Sequence, residues 1–130
     1  MLTDLVAGAR PNFMKIAPLY HRLAAHPTLR PRIVHTGQHY DANMSEFFFR
    51  DLGLPEPDIA LQVGGGRAGW QTGQILSAYE SVLLESPPDV VVVVGDVNST
   101  LAATLAAVKL GIATCHLEAG LRSHDRSMPE

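Results

Sequence analysis

Five consecutive valines, Val90 to Val94, constrain this chain more than any other feature of it. β-branched side chains favour strand over helix. A strand that is apolar at every position, with no polar alternation, must be buried on both faces. The central strand of a parallel sheet, with helices packed above and below, meets that demand. A half-exposed antiparallel sheet does not. Hydrophobic residues make up 46% of the 130 and charged residues 18%, which is enough for one core of ordinary domain size.

The remaining sequence alternates strand and helix signals. Leu5-Val6-Ala7-Gly8 reads as the first strand, cut short by Arg10-Pro11. Pro11 suits the first turn of a helix on which Phe13, Ile16, Ala17, Tyr20 and Leu23 recur at helical spacing. Pro18 falls inside that helix and is expected to kink or restart it. Arg32 to Thr36 is the second strand, and a helix is expected around Asn43 to Leu52. Ile59-Ala60-Leu61 forms a short third strand, and Gln71 to Leu84 a long helix. After the valines, Leu101 to Leu110 is an alanine-rich helix closed by Gly111. Ile112 to Leu117 is a fifth strand, with Cys115 read as a small core residue. Such alternation, joined by right-handed crossovers, gives a doubly wound, Rossmann-like α/β parallel sheet of order 3-2-1-4-5. The chain ends in polar loop with neither a helix over strand five nor a sixth strand. It therefore reads as one domain over 1–130, incomplete at its C-terminal end.

Composition excludes several functions. A net charge of −3 leaves no basic footprint for nucleic acid. A lone cysteine allows neither an intrachain disulfide nor a cysteine cluster for zinc. Met1-Leu2-Thr3-Asp4 lacks the basic start and apolar core of a signal peptide. No apolar run approaches the roughly 20 residues of a membrane span. A cytoplasmic protein with no membrane partner is expected.

In the order 3-2-1-4-5 the switch point lies between strands one and four, and ligands bind outside the carboxyl ends of the strands there. Three loops should line that site: Gly8–Lys15, Gly95–Thr100 and His116–Ser123. The first carries Arg10 and Lys15 beside a helix N-terminus, a ready place for a phosphate, although both are also ordinary surface charges. In the second, Asp96 follows the valine strand directly. It is either a helix cap or a reactive carboxylate, and Asn98 or Ser99 could cap in its place. The third carries Glu118 and Arg122, which could equally form a purely structural ion pair.

Neighbouring strands are about 4.8 Å apart, so Asp96 and Glu118 should lie close together. Close carboxylates push one another's pKa values apart, which suits acid–base work. His116 and Glu118 share a strand face at spacing two, but two candidate ligands without a third do not make a metal site. Gly64-Gly65-Gly66-Arg67-Ala68-Gly69 matches G-x-G-x-x-G. That fingerprint belongs in the first strand–helix turn, so the segment reads instead as a flexible surface loop from which Arg67 could reach a ligand.

Taken in order, these segments resemble one family. Gly8-Ala9-Arg10-Pro11 with Lys15 and Pro18, Thr36-Gly37-Gln38-His39, Gly95-Asp96, and His116 with Glu118-Ala119-Gly120-Leu121-Arg122-Ser123 resemble the UDP-N-acetylglucosamine 2-epimerases. Met128-Pro129-Glu130 resembles the start of that family's Pro-Glu-Glu segment. The resemblance implies the first domain of a glycosyltransferase-B-type two-domain fold, with the second domain absent here. It implies a homodimeric, cofactor-free isomerase of polysaccharide biosynthesis acting on UDP-N-acetylglucosamine. UDP would leave by anti elimination, giving a 2-acetamidoglucal, and add back after a proton returns to the opposite face of C2.

Carried over residue by residue, the resemblance makes Asp96, Glu118 and Glu130 the essential carboxylates and Arg10, Lys15 and Arg122 substrate contacts. Gln38 and His39 match a segment that binds an activating second nucleotide sugar in some bacterial members, and Arg67 is a further candidate contact to that activator. Two positions depart from the pattern: Asn12 stands where many members have Glu, and Asp41 where activated members often have Gln. The fragment itself is expected to be inactive, since half a cleft cannot clamp a diphosphate. A hydrolysing relative that releases N-acetylmannosamine, a non-catalytic nucleotide-binding domain, and a dinucleotide-dependent oxidoreductase using Gly64–Gly69 are the competing readings.

Overall fold

A computed structural model describes residues 1–37 and 46–127. Along the chain run β1 (Leu2–Ala7), α1 (Arg10–Ala24), β2 (Arg30–His35), α2 (Glu46–Asp51) and β3 (Ile59–Ala60). α3 (Ala68–Glu85), β4 (Val90–Val94), α4 (Asn98–Lys109) and β5 (Ala113–Leu117) follow. All strand pairs are parallel, in the order β3-β2-β1-β4-β5. This is the doubly wound α/β sheet expected from the sequence. The chain builds outward from β1 to β3, returns, and continues on the other side with β4 and β5. β1 and β4 pair as Thr3 with Val90, Asp4 with Val91 and Leu5 with Val92, so the reversal lies between them.

The valine strand is buried on both faces, with Val91 to Val94 at most 6% exposed. On one face Val92 and Val94 join Leu5, Ala7 and Ile33 against Phe13, Ile16 and Ala17 of α1 and Phe49 of α2. On the other, Val91 and Val93 join Val6 and Val34 against Tyr79 and Leu83 of α3 and the small Ala103, Ala106 and Ala107 of α4. Each such valine stabilises the fold by about 1.5–3 kcal/mol.

One charged cluster is built into the second face. Asp4 on β1 is fully buried and lies opposite Arg32 on β2. Arg32 Nε donates to Asp4 Oδ1 at 2.6 Å and Nη2 to Oδ2 at 2.9 Å, while Tyr79 Oη donates to Oδ2 at 2.8 Å. The guanidinium also reaches Ser86 at the end of α3, donating to its carbonyl at 2.9 Å and its hydroxyl at 2.8 Å. Asp4 thereby holds the Arg32 pKa above its ordinary value, and burial, with the Asp4 charge behind it, holds that of the Tyr79 hydroxyl well above its own.

Several expectations change. β1 begins at Leu2 and α3 at Ala68, each three residues earlier than read, so Ala68 and Gly69 of the glycine segment are helical. α1 does not restart at Pro18 but runs through it as one helix from Arg10 to Ala24. α4 begins at Asn98 and not at Leu101, because the polar residues ahead of the apolar run already form its first turn. Its far end is as expected: Gly111 sits at φ 72°, its N–H donates to Val108 O at 3.1 Å, and the Ile112 N–H reaches Ala107 O at 3.0 Å. Cys115 is exposed and not in the core. It shares the α1-side face of the edge strand β5 with Ala113, also exposed, and only Leu117 at the end of that face packs against the α1 cluster.

Candidate functional site

The carboxyl ends of β1, β4 and β5 meet in a tightly bonded edge. Gly95, immediately after the valines, turns the chain with φ 69°. Its N–H donates to Leu117 O at 3.0 Å, and its carbonyl accepts from His116 Nε2 at 2.7 Å. That second bond fixes the His116 tautomer with its proton on Nε2. Next to it, Glu118 adopts φ 65°, a left-handed conformation that costs a non-glycine residue roughly 1–2 kcal/mol. β5 ends at Leu117, and this turn swings Glu118 out of the strand alternation. His116 and Glu118 therefore do not share a face as the spacing-two reading expected.

The turn of Glu118 brings it beside Asp96. Both line a cleft of about 340 Å³ with Thr100, Leu101, His116 and Arg122. They also bound an adjoining recess of about 200 Å³ closed by Lys15 and Leu121. Lys15, one turn into α1, makes an ion pair with Glu118 Oε2. Both partners are partly solvated, so the pair contributes no more than about 1 kcal/mol to stability. It displaces the Arg122–Glu118 pair that the sequence allowed. Arg122 instead donates Nη1 to the Ala119 and Leu121 carbonyls, both at 2.7 Å, while its side chain still lines the cleft.

Asp96 has no hydrogen-bond partner among the described residues. The capping role weighed for it is not used: the N-cap of α4 is Val97, with no side-chain cap bond. Asn98 and Ser99 do not cap either. Asn98 Nδ2 donates to Gln71 Oε1 at 3.0 Å, and Ser99 Oγ lies 2.7 Å from Thr36 Oγ1. The Asp96 carboxylate is thus left to the cleft, and the first N–H groups of α4 add positive potential at the same edge.

Arg10, the first residue of α1, stands at this edge as well, but its guanidinium lies 4.8 Å over the Phe48 ring of α2 and not on either carboxylate. Arg67 is the exposed residue before α3. The glycine run ahead of it is tethered where Gln71 Nε2 donates to Gly64 O at 3.1 Å, and Gln71 in turn holds Asn98. The run follows β3, at the opposite edge of the sheet from β5, and not the first strand–helix turn. Gln38, His39 and Glu130 lie outside the described residues.

Sequence reasoning missed the packing around Gly8. A Cβ there would fall 2.1 Å from Ser99 Oγ and 2.7 Å from Thr36 Oγ1, so the hydroxyl pair can bridge β2 to α4 only over a glycine.

The cleft thus lies beyond β4 and β5, one strand over from the expected β1–β4 switch point, and only its adjoining recess reaches α1 through Lys15; two carboxylates and a lysine so placed fit many chemistries, and comparison narrows them. The family model for UDP-N-acetylglucosamine 2-epimerase matches residues 21–130. The chain belongs to that family. It is 47% identical over 130 residues to the UDP-N-acetylglucosamine 2-epimerase of Methanocaldococcus jannaschii, covering all of this chain and 35% of the relative. It is 50% identical over 125 residues to the UDP-2,3-diacetamido-2,3-dideoxy-D-glucuronate 2-epimerase of Pseudomonas aeruginosa, covering 96% of this chain and 35% of that one. The crystal structure of the Methanocaldococcus jannaschii enzyme in complex with UDP-GlcNAc and UDP superposes with a TM-score of 0.93 over all of this chain and 36% of its own. Family members have a glycosyltransferase-B-type fold, and this sheet is of the kind that builds it. The chain spans about a third of the length of these relatives. No helix among the described residues is long and apolar enough to cross a membrane.

Proposed function

We propose that this chain is the first domain of a non-hydrolysing epimerase that inverts C2 of a UDP-activated 2-acetamido sugar. The observation that carries the reading is Asp96 beside Glu118 in one cleft beyond the ends of β4 and β5, with Lys15 of α1 bound to Glu118 in the adjoining recess, in a chain of this family.

The C2 hydrogen of the sugar is too weakly acidic for simple removal. Loss of that proton to an enzyme carboxylate is coupled to cleavage of the C1–oxygen bond, which gives a 2-acetamidoglucal and UDP. A proton delivered to the opposite face of C2, with UDP re-adding at C1, gives the epimer. Two carboxylates near one another, on either side of the reacting carbon, supply the base and the acid. Asp96 and Glu118 are those groups in this reading, and Glu130 is the third carboxylate by family resemblance. Lys15, Arg10 and Arg122 stabilise the departing diphosphate, where charge accumulates in the transition state. Lys15 is held by Glu118 before substrate arrives. A diphosphate that draws the ammonium away frees Glu118 for proton transfer.

The experiment is proton NMR in D₂O on the full-length protein that carries this chain, with UDP-N-acetylglucosamine and the UDP-2,3-diacetamido-glucuronate run side by side. The second substrate is included because the 50% identical relative is named for it. Loss of the C2 proton signal with appearance of the UDP-linked epimer supports the reading, and the faster substrate identifies the sugar. Free N-acetylmannosamine means the hydrolysing reaction. No exchange with either sugar from a folded protein overturns the epimerase. Glu118→Gln should abolish turnover while leaving binding, and retained turnover removes Glu118 from the mechanism.

A further inference from the structure

Asn12 is 3% exposed, and the bonds of its side-chain amide join two of the three strand ends at the site. Oδ1 accepts from the backbone N–H of Gly8 at 3.2 Å and of Ala9 at 3.0 Å, in the turn that leads from β1 into α1. Nδ2 donates to Val94 O at 3.3 Å, the last carbonyl of β4 before Gly95 and Asp96. These partners settle the amide orientation, because a flipped group would set a donor against two N–H groups and an acceptor against a carbonyl. Thr100 Oγ1 donates to the same Val94 carbonyl at 2.7 Å. The turn that presents Asp96 is therefore held from α1 by Asn12, from α4 by Thr100 and from β5 by His116.

Resting on the epimerase reading, we infer that Asn12 is a positioning residue: its amide fixes the Gly95–Asp96 turn of β4 against the first turn of α1, and so sets Asp96 relative to Lys15. A carboxylate at this position can do only half of that. It accepts from Gly8 and Ala9, and the helix N-terminus favours its charge, but it has no hydrogen for Val94 O and turns an acceptor towards an acceptor. Asn12→Asp is then the variant that separates capping from positioning. If Asn12 only caps α1, aspartate is as good or better. If it also positions Asp96, aspartate caps but misplaces the turn.

In the full-length protein, Asn12→Asp is expected to lower kcat by about tenfold or more while KM for the nucleotide sugar moves less than about threefold, measured at a temperature where the variant is folded. An unchanged kcat in a folded Asn12→Asp protein overturns the inference. Thr100→Val removes the other donor to Val94 O without touching the cap of α1 and is measured alongside. If Asn12→Asp does not fold, a several-fold loss of kcat in Thr100→Val, at unchanged KM, supports the anchoring of this carbonyl, and unchanged kcat refutes it. If wild type turns over neither sugar, the epimerase reading fails by itself. Hydrogen exchange over residues 94–98 then decides the placement: faster exchange in Asn12→Asp supports it, and unchanged protection overturns it.

Discussion

Asp4, fully buried on β1, accepts three hydrogen bonds, two from Arg32 and one from Tyr79, all between 2.6 and 2.9 Å. Tyr79→Phe removes one bond and leaves the carboxylate paired. A hydrogen bond to a charged group contributes about 1.5–3 kcal/mol, so a loss near ~2 kcal/mol is expected. A domain of 130 residues unfolds with roughly 270 cal/mol/K of entropy, and that loss becomes a fall in Tm of roughly 7 °C. Arg32→Met is different in kind. It leaves the Asp4 charge buried with a single neutral partner, at a cost of about 3–5 kcal/mol. If the uncompensated charge is the cause, removing the whole cluster must cost less than breaking it. Asp4→Val/Arg32→Met/Tyr79→Phe should then be more stable than Arg32→Met alone. Urea unfolding of this domain at neutral pH, followed by far-UV circular dichroism, measures all three. A triple variant no more stable than Arg32→Met would refute the reasoning and assign the loss to packing and to the Arg32 bonds that close α3 at Ser86.

Gly8→Ala puts a methyl 2.1 Å from Ser99 Oγ and should destabilise by about 1–3 kcal/mol, with part recovered in Gly8→Ala/Ser99→Ala; a wild-type melting curve for Gly8→Ala would contradict this. Gly111→Ala meets no atom within 4 Å, so its cost of about 1 kcal/mol in urea unfolding should come from φ 72° alone, and Gly111→Asn should cost less. His35 lies 5.2 Å from the Phe13 ring, and burial holds its pKa below the ordinary 6.5. Its contribution is whole above that pH and is lost as pH falls towards the folded value, because only the unfolded chain takes up the proton. Between about pH 7.5 and 5.5, Tm should therefore fall more for wild type than for His35→Met. Lys15→Met should lower kcat/KM for the nucleotide sugar about tenfold or more in the full-length protein, and an unchanged kcat/KM would remove Lys15 from the diphosphate site.

The sheet was legible in the sequence because one signal, Val90 to Val94, admits few environments. Once that strand is interior, right-handed crossovers leave a handful of doubly wound orders, of which 3-2-1-4-5 is the one observed. Edges and caps were harder to read because they depend on partners distant in sequence. Cys115 reads as core from its apolar neighbours, yet whether its face is covered is decided by what packs on β5. Asn98 and Ser99 have the chemistry of helix caps, but Gln71 and Thr36 claim their side chains. Asn12 stands at the third helical position, where a side chain can reach back to the N-cap N–H, so half of its role was readable. The other half spans 82 residues, to Val94.

The candidate site shows the same division. That Asp96 and Glu118 come together follows from strand order, since each lies just beyond the end of one of two adjacent strands. Which cation meets Glu118 does not follow, because it turns on a single backbone angle. At φ 65° the Glu118 side chain leaves the alternation of β5 and meets Lys15 from α1, while Arg122 turns back to its own loop. A residue other than glycine or asparagine held in that region is paid for by its surroundings, here the Gly95–Leu117 and Gly95–His116 bonds that pin the end of β5 to β4 immediately before it. The strain at Glu118 and the bonding of the Gly95 turn are thus two parts of one arrangement. Loosening the turn should release Glu118 into ordinary strand geometry and take it away from both Lys15 and Asp96.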